Sequence, residues 1–346
     1  MSPLLFLAVL ASAWLAMLLF TPLAIRLGRK LDIVDRPGGR RKHHGEIVRI
    51  GGLGLFPAFA IASLIPVLVG SPRDDALELT RLTGVLLGMA IVWVMGLLDD
   101  KFKLSPGWQL AGLVAGALVA ILFKVFVERF NSPFGNQQIV VDWYLMLPIS
   151  LAWIVGMTNL GNSIDGLDGL AAGVTAIASA VLFIHMLRLH QYSVALLPLA
   201  LLGCCLGFLH FNLPPARVFL GGGAYVLGFG IATLSIISGA KVASALLVMW
   251  LPIVDLVWQV YSRWHRGQRI SLGDRGHLHL RLQDLGWSQR RIVLMYYGIT
   301  AFLGAVGLLV PNRALKLGAL IVFGLAFIWF VASIAQKSGD SVVSGE

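Results

Sequence analysis

The sequence predicts an all-α polytopic membrane bundle of about eleven transmembrane helices with the N-terminus outside. Hydrophobic residues make up 58% of the 346 residues and charged residues only 13%, too apolar a balance for a soluble domain. Apolar runs of spanning length recur along the whole chain, and the basic residues collect in alternate loops, as the positive-inside bias requires.

The runs lie near 3–25, 50–70, 79–98, 108–127, 143–158, 168–187, 193–211, 217–238, 243–262, 292–310 and 314–335. The first continues into a basic loop instead of ending at a cleavage site, so it reads as a span and not as a signal peptide. With the N-terminus outside, residues 26–49, 99–107, 159–167, 212–217 and 263–291 face the cytoplasm. That sidedness accounts for most of the +10 formal charge, so the charge calls for a lipid bilayer and not for a nucleic acid. Residues 1–336 read as a single membrane domain and 337–346 as a disordered tail.

The first cytoplasmic loop carries Arg36, Arg40, Arg41, Lys42, His43, His44 and Arg49 around Pro37, Gly38 and Gly39. Such a patch attracts anionic headgroups, and equally a phosphate-bearing substrate arriving at that surface. The third span ends in Asp99 and Asp100, on the same side of the membrane. Adjacent carboxylates that cannot both relax into water favour a divalent cation or a shared proton.

Asn159 to Leu170 reads N-L-G-N-S-I-D-G-L-D-G-L. Two amides, Asn159 and Asn162, and two acids, Asp165 and Asp168, recur at intervals of three, which on a helix spreads them over one side. An Asp at the centre of a membrane helix costs about 2.5–3.5 kcal/mol, so two of them ask for a wet, ion-bearing or ligand-bearing site at a membrane surface. On the outer side, Arg73, Asp74 and Asp75 read as a solvated turn, 128–142 as a polar loop, and His185 and His190 as interfacial residues. The adjacent Cys204 and Cys205 lie in an apolar run and read as buried and inert.

The run before the eighth span holds His210, Asn212, Pro214 and Arg217, followed by Gly221, Gly222 and Gly223. The three glycines fit either close helix packing or backbone giving way to a bulky ligand. In the longest loop Asp274, Arg275, His277, His279 and Arg281 fall within eight residues. The spacing of His277 and His279 suits an extended segment, and the set matches a phosphate or nucleotide better than zinc. No nucleophile with a paired base is evident, so metal-assisted phosphoryl transfer fits better than covalent acyl chemistry.

Taken together, these motifs resemble the polyprenyl-phosphate N-acetylhexosamine-1-phosphate transferases of the glycosyltransferase 4 family, which are related to the phospho-MurNAc-pentapeptide translocases. The resemblance runs through D-x-P-x-x-R-x-x-H with a following G-G (Asp35, Pro37, Arg40, His43, Gly51, Gly52), G-L-L-D-D (Asp99, Asp100), N-x-x-N-x-I-D-G-L-D-G-L, P-I-x-D (Asp255) and D-R-x-H-x-H (Asp274, Arg275, His277, His279). It implies transfer of a hexosamine-1-phosphate, GlcNAc-1-phosphate first among the candidates, from a UDP-sugar to undecaprenyl or another polyprenyl phosphate. UMP leaves, and Mg²⁺, or Mn²⁺ in its place, assists.

By that resemblance Asp99, Asp100, Asp165, Asp168 and His279 form the catalytic set, and Asn162 with Asp99 and Asp100 holds the metal. Asp35, Arg40, Arg41, His43, Asn159, Asn162, Asp274, Arg275 and His277 bind substrate. The enzyme would sit in the plasma membrane with its active face cytoplasmic, as a homodimer, and begin a cell-envelope glycan. The chain departs from the family's pattern in three places. The usual F-x-G-D-x-G is F-L-G-G-G at Phe219–Gly223, H-x-H-H ends in Leu280, and Gln109 stands where a basic residue is common. A catalytically impaired homologue that still binds nucleotide sugar or polyprenyl phosphate is therefore the alternative, and a lipid carrier is a third reading. Against the carrier, the ionisable residues gather at one surface instead of along a midplane path.

Overall fold

The computed structural model describes residues 1–36, 45–132, 137–237, 242–267 and 276–337. The predicted Arg40, Arg41, His43, Asp274 and Arg275, and all but the first residue of the tail, lie outside them. The described residues fold as thirteen α-helices with two small hairpins. A backbone in hydrocarbon must satisfy its own hydrogen bonds, and helices do so within one segment.

Helix α1 spans Pro3–Lys30 and starts on Pro3, whose missing N–H costs nothing at that position. Strands β1 (Val34–Asp35) and β2 (Ile47–Val48) pair antiparallel and bracket the first loop. After a 3₁₀ turn at Gly51–Gly54 come α2 (Leu55–Leu68), α3 (Glu78–Phe102) and α4 (Pro106–Leu122). The polar loop near 128–142 contains a hairpin, β3 (Arg129–Asn131) with β4 (Gln138–Val140). Helices α5 (Trp143–Ser163), α6 (Leu170–Arg188), α7 (Tyr192–Asn212) and α8 (Gly223–Ile237) follow. Next are α9 (Val242–Val248), α10 (Trp250–His265) and the short α11 (Leu278–Asp284). Helices α12 (Gln289–Leu309) and α13 (Arg313–Lys337) complete the chain.

Among the described residues seven helices are long and apolar enough to cross a membrane, or eight if the bent pair α9–α10 counts as one span. The sequence-based count of eleven also includes α13 and two shorter apolar helices, Pro106–Leu122 and Gly223–Ile237, and takes α9 and α10 as one span across a 78° bend after Val248. Hydropathy averages over such a bend because the residues on both sides remain apolar. Helices α6, α7 and α8 form the centre. Every described residue of α8 is buried, whereas α1 leaves Leu4, Leu7, Leu15 and Leu19 exposed along one side, as a lipid-facing helix does.

Glycine lets the central helices touch backbone to backbone. A Cβ on Gly222 would land on the Gly96 backbone of α3, and one on Gly52 would land on Gly223. Of the two readings of the triple glycine, close packing is the one the coordinates contain. Backbone bonds extend the contact: Gly51 N–H donates to Phe219 O (2.9 Å), Gly52 N–H to Leu220 O (3.0 Å) and Phe219 N–H to Val48 O (2.8 Å).

At the end of the bundle away from Asp99 and Asp100, Arg73 and Asp74 are exposed, as a solvated turn requires, yet the turn is tied down. Asp74 is no free turn residue: the Ser193 hydroxyl contacts its Oδ2 (2.8 Å) and Glu78 Oε2 (2.6 Å), and Ser193 N–H also donates to Asp74 Oδ2 (2.9 Å). His185 Nδ1 meets Ser244 Oγ at 2.8 Å. Removing the hydroxyl strands partly buried polar groups, so Ser193→Ala is expected to lower unfolding stability by about 1–3 kcal/mol. Thermal unfolding in detergent reads this, and a midpoint equal to the parent's would show that the network contributes nothing. A cavity of about 560 Å³ opens beside this network, between Arg81, Lys124, Glu128 and His190. It is remote from the acidic turn.

Candidate active site

The site grows from the turn between α5 and α6. Helix α5 carries the sequence N-L-G-N only as far as Ser163, and the chain then turns through Asp165–Gly169 instead of continuing as the helix the spacing allowed. Two glycines and two aspartates in five residues favour a turn, because Gly169 adopts φ +78° at little cost and Asp side chains bond nearby backbone. Three clamps fix this turn. Asn212 on α7 accepts from Gly169 N–H (2.9 Å) and donates to Val218 O (2.8 Å). The Tyr297 hydroxyl on α12 donates to Gly169 O (2.6 Å), and Asp168 Oδ2 accepts from Ala216 N–H (3.0 Å).

Asp100, buried at the end of α3, faces the glycine crossing. Gly222 N–H donates to its Oδ2 at 2.8 Å, and a Cβ on Gly221, which has φ +58°, would lie 2.6 Å from both carboxylate oxygens. Only glycine allows the backbone to pass that close to the carboxylate. Asp99 is turned the other way: its Oδ1 accepts from Leu104 N–H (3.0 Å) and Gln109 Nε2 (2.9 Å), closing the α3–α4 connection.

Asp165 connects the two halves electrostatically. Burial pushes its carboxyl up to about 7, the charges of Asp100 and Asp168 add to the rise, and the Arg49 guanidinium opposes it. Asp100, Asp165, Asp168 and Arg49 therefore share one field, although they come from α3, the acidic turn and the segment after β2. Asn159 and Asn162 are exposed on the last turns of α5, and Asp35 is buried in β1 opposite Ile47.

Both histidines reach the same turn, in a form the sequence reading did not expect. His277 is extended, but it caps α11, and His279 lies within that helix. Their rings stack with centroids 5.6 Å apart and planes 20° apart. His279 is 1% exposed and packs on Gly166, where a Cβ would collide with its Nε2. Asp255, 2% exposed on α10, accepts from Leu278 N–H (2.8 Å) and holds His277 Nδ1 at 3.0 Å.

Asp255, Asn212, Tyr297 and Arg49 were not among the predicted site residues. Asp255 carried a signal in P-I-x-D and Arg49 in the basic loop. Tyr297 carried none, because its role depends on where α12 packs.

The donors suit a hard cation. Mg²⁺ is commonly held by one or two carboxylates with substrate phosphates completing the shell, and burial together with the charges of Asp100 and Asp168 disfavours a negative Asp165, a cost that a cation at the turn would relieve. Among the described residues no three His, Cys, Asp or Glu side chains form a ready-made cage.

Comparison with known proteins gives the arrangement its context. Residues 82–239 match the family model described as Glycosyl transferase family 4. The chain is 31% identical over 332 residues, covering 94% of it and 90% of the relative, to a Bacillus subtilis protein named "Probable undecaprenyl-phosphate N-acetylglucosaminyl 1-phosphate transferase". It is 33% identical over 337 residues (87% of the chain, 82% of the relative) to the decaprenyl-phosphate N-acetylglucosaminephosphotransferase of Mycobacterium tuberculosis. It is 30% identical over 303 residues (83% and 91%) to the phospho-N-acetylmuramoyl-pentapeptide-transferase of Listeria welshimeri. With this identity carried across nearly the whole chain, and its acids, amides and histidines gathered about one turn, the protein belongs to glycosyl transferase family 4.

Proposed function

We propose that this enzyme transfers N-acetylhexosamine-1-phosphate, GlcNAc-1-phosphate in the first instance, from a UDP-sugar to a polyprenyl phosphate and releases UMP. The observation that carries the reading is the shared field of Asp100, Asp165, Asp168 and Arg49, with the His277–His279 stack closing on the same turn. Carboxylates for a cation beside positive groups for phosphate oxygens are what phosphoryl transfer requires.

The lipid phosphate needs no strong protein base, since a phosphate monoester with a second pKa of about 6 is already largely dianionic at neutral pH. Its oxygen attacks the β-phosphorus of the nucleotide. The bond to the oxygen bridging the α- and β-phosphorus breaks, and the electron pair leaves on UMP. When bound, Mg²⁺ or Mn²⁺ would neutralise charge on the diphosphate, with Asp100 and Asp165 as its protein ligands and Asn162 within the same segment. Asp168 and the Asn212–Tyr297 clamps hold the turn rigid. Asp99 fixes the α3–α4 connection that carries Asp100. Asp35, Arg40, Arg41, His43, Asn159, Asp274, Arg275 and His277 complete the substrate-binding set, with His279 packed between the acidic turn and His277.

The short and bent helices count as crossing in this reading, giving eleven spans, an outside N-terminus and a cytoplasmic active face in the plasma membrane. Residues 1–336 then form one catalytic domain, and a second copy could pair with it through the lipid-facing helices. The product, a polyprenyl-diphosphate sugar, would begin a cell-envelope glycan.

Purified protein in vesicles containing undecaprenyl phosphate is expected to release UMP from UDP-GlcNAc and to stop when EDTA removes the divalent ion. Release of UDP, or of nothing, would reject the reading. One observation favours the alternative of a binding homologue with impaired turnover. The family's F-x-G-D carboxylate has no counterpart in Phe219–Gly223, and the Cβ position of Gly222 in that segment is filled by the Gly96 backbone. Saturable UDP-GlcNAc binding without UMP release would select that alternative.

A further inference from the structure

The two histidines are not equivalent. His279 is 1% exposed, and its Nε2 edge is packed on Gly166, with no room between them even for a methyl group. The His277 side chain keeps 15% of its surface open, and its Nδ1 lies 3.0 Å from Asp255 Oδ2. The 3% exposed Asp255 side chain uses its other oxygen to accept from Leu278 N–H at 2.8 Å. One carboxylate thus fixes both the backbone that carries His277 and the ring itself. A carboxylate can only accept, so His277 bears its proton at Nδ1 and keeps Nε2 for another partner.

Building on the transferase reading, in which His277 belongs to the substrate-binding set, we propose that Asp255 is the positioning residue that aims the His277 imidazole at the substrate, and that His279 is a second positioning residue and not a ligand of it. The His279 ring lies between His277 and Gly166. It transmits the position of the acidic turn to His277 through the 5.6 Å stack and has no open edge to offer a ligand. Asp255 is likewise a positioning residue: it sets the tautomer and ring direction of His277 and acts on substrate only through it.

The test measures UMP release, UDP-GlcNAc binding and thermal midpoint for the full-length protein and its variants. His277→Phe is expected to lose about 100-fold in turnover, the lower range for a lost polar catalytic group, with a thermal midpoint near the parent's. His279→Phe keeps a flat aromatic ring on Gly166 and is expected to stay within about tenfold of the parent, as for a group acting through its neighbour.

The decisive arm is chemical rescue. Added imidazole is expected to restore turnover to His277→Gly but not to His277→Gly/Asp255→Asn, because the second variant lacks the carboxylate that seats the ring. Equal rescue of both would overturn the role of Asp255. A folded His279→Phe more damaged than His277→Phe would overturn the assignment of the two rings. If the parent neither releases UMP nor binds UDP-GlcNAc, the transferase reading fails and this proposal fails with it. A parent that turns over while His277→Phe matches it sinks the proposal alone.

Discussion

Asp100→Asn is expected to lower turnover by about 10²–10³-fold while leaving the fold intact, the scale of losing one well-placed electrostatic group in a water-poor site. The fold should survive because an Asn side-chain carbonyl can still accept from Gly222 N–H, the one hydrogen bond that ties Asp100 to the glycine crossing. What disappears is the negative charge that Asp165 senses, and with it half of the carboxylate pair available to a cation. Asp99→Ala provides the contrast. One Asp99 oxygen accepts from both Leu104 N–H and Gln109 Nε2, so its loss should appear first in stability. Initial rates of UMP release, measured beside thermal midpoints, separate the two. A turnover of Asp100→Asn within a few-fold of the parent would remove Asp100 from the chemistry.

Gly222→Ala carries the largest expected structural effect. The added methyl would land on the Gly96 carbonyl and Cα, which are backbone atoms inside α3 and cannot rotate away. Overpacking of this kind costs about 1–3 kcal/mol where side chains can shift, and more where backbone must move. Separating α3 from the glycine segment would also draw Gly222 N–H away from Asp100. Lower thermal stability and lost turnover are therefore expected together. The same variant at Gly156, with open space around its Cβ position, should leave both nearly unchanged. A Gly222→Ala protein as stable as the parent would show that the crossing is looser than the coordinates place it.

Much of the site was legible in the sequence because its residues are costly where they stand. Asp99, Asp100, Asp165 and Asp168 interrupt apolar runs at one inferred surface, and only a binding role compensates for placing acids there. Local geometry was harder to read. The regular three-residue spacing of Asn159–Asp168 fits a helix, but glycine and aspartate turn chemistry ends α5 at Ser163. Roles that work only through tertiary contact were not legible. Asp255 stood out in P-I-x-D, but not as the holder of a histidine 22 positions away, while Tyr297 reaches a carbonyl 128 positions away and Ser193 bridges to Asp74 across 119. The bend after Val248 was hidden for a related reason, since both arms are apolar and only packing separates their directions.

The glycine crossing also changes how the family's missing aspartate is read. In this chain the segment Gly221–Gly223 serves as a close backbone contact, with Gly222 N–H acting as a donor to Asp100. The carboxylates near the turn are then Asp100, Asp165 and Asp168, and in the proposed chemistry these are the ones left to face a cation.

The most direct measurement follows the β-phosphorus. With UDP-GlcNAc isotopically labelled at that atom and undecaprenyl phosphate in vesicles, the label should appear in a lipid diphosphate-sugar while unlabelled UMP is released in equal amount. Label recovered as free UDP beside a lipid monophosphate-sugar, or left entirely in UDP-GlcNAc that the protein binds but does not consume, would contradict the account.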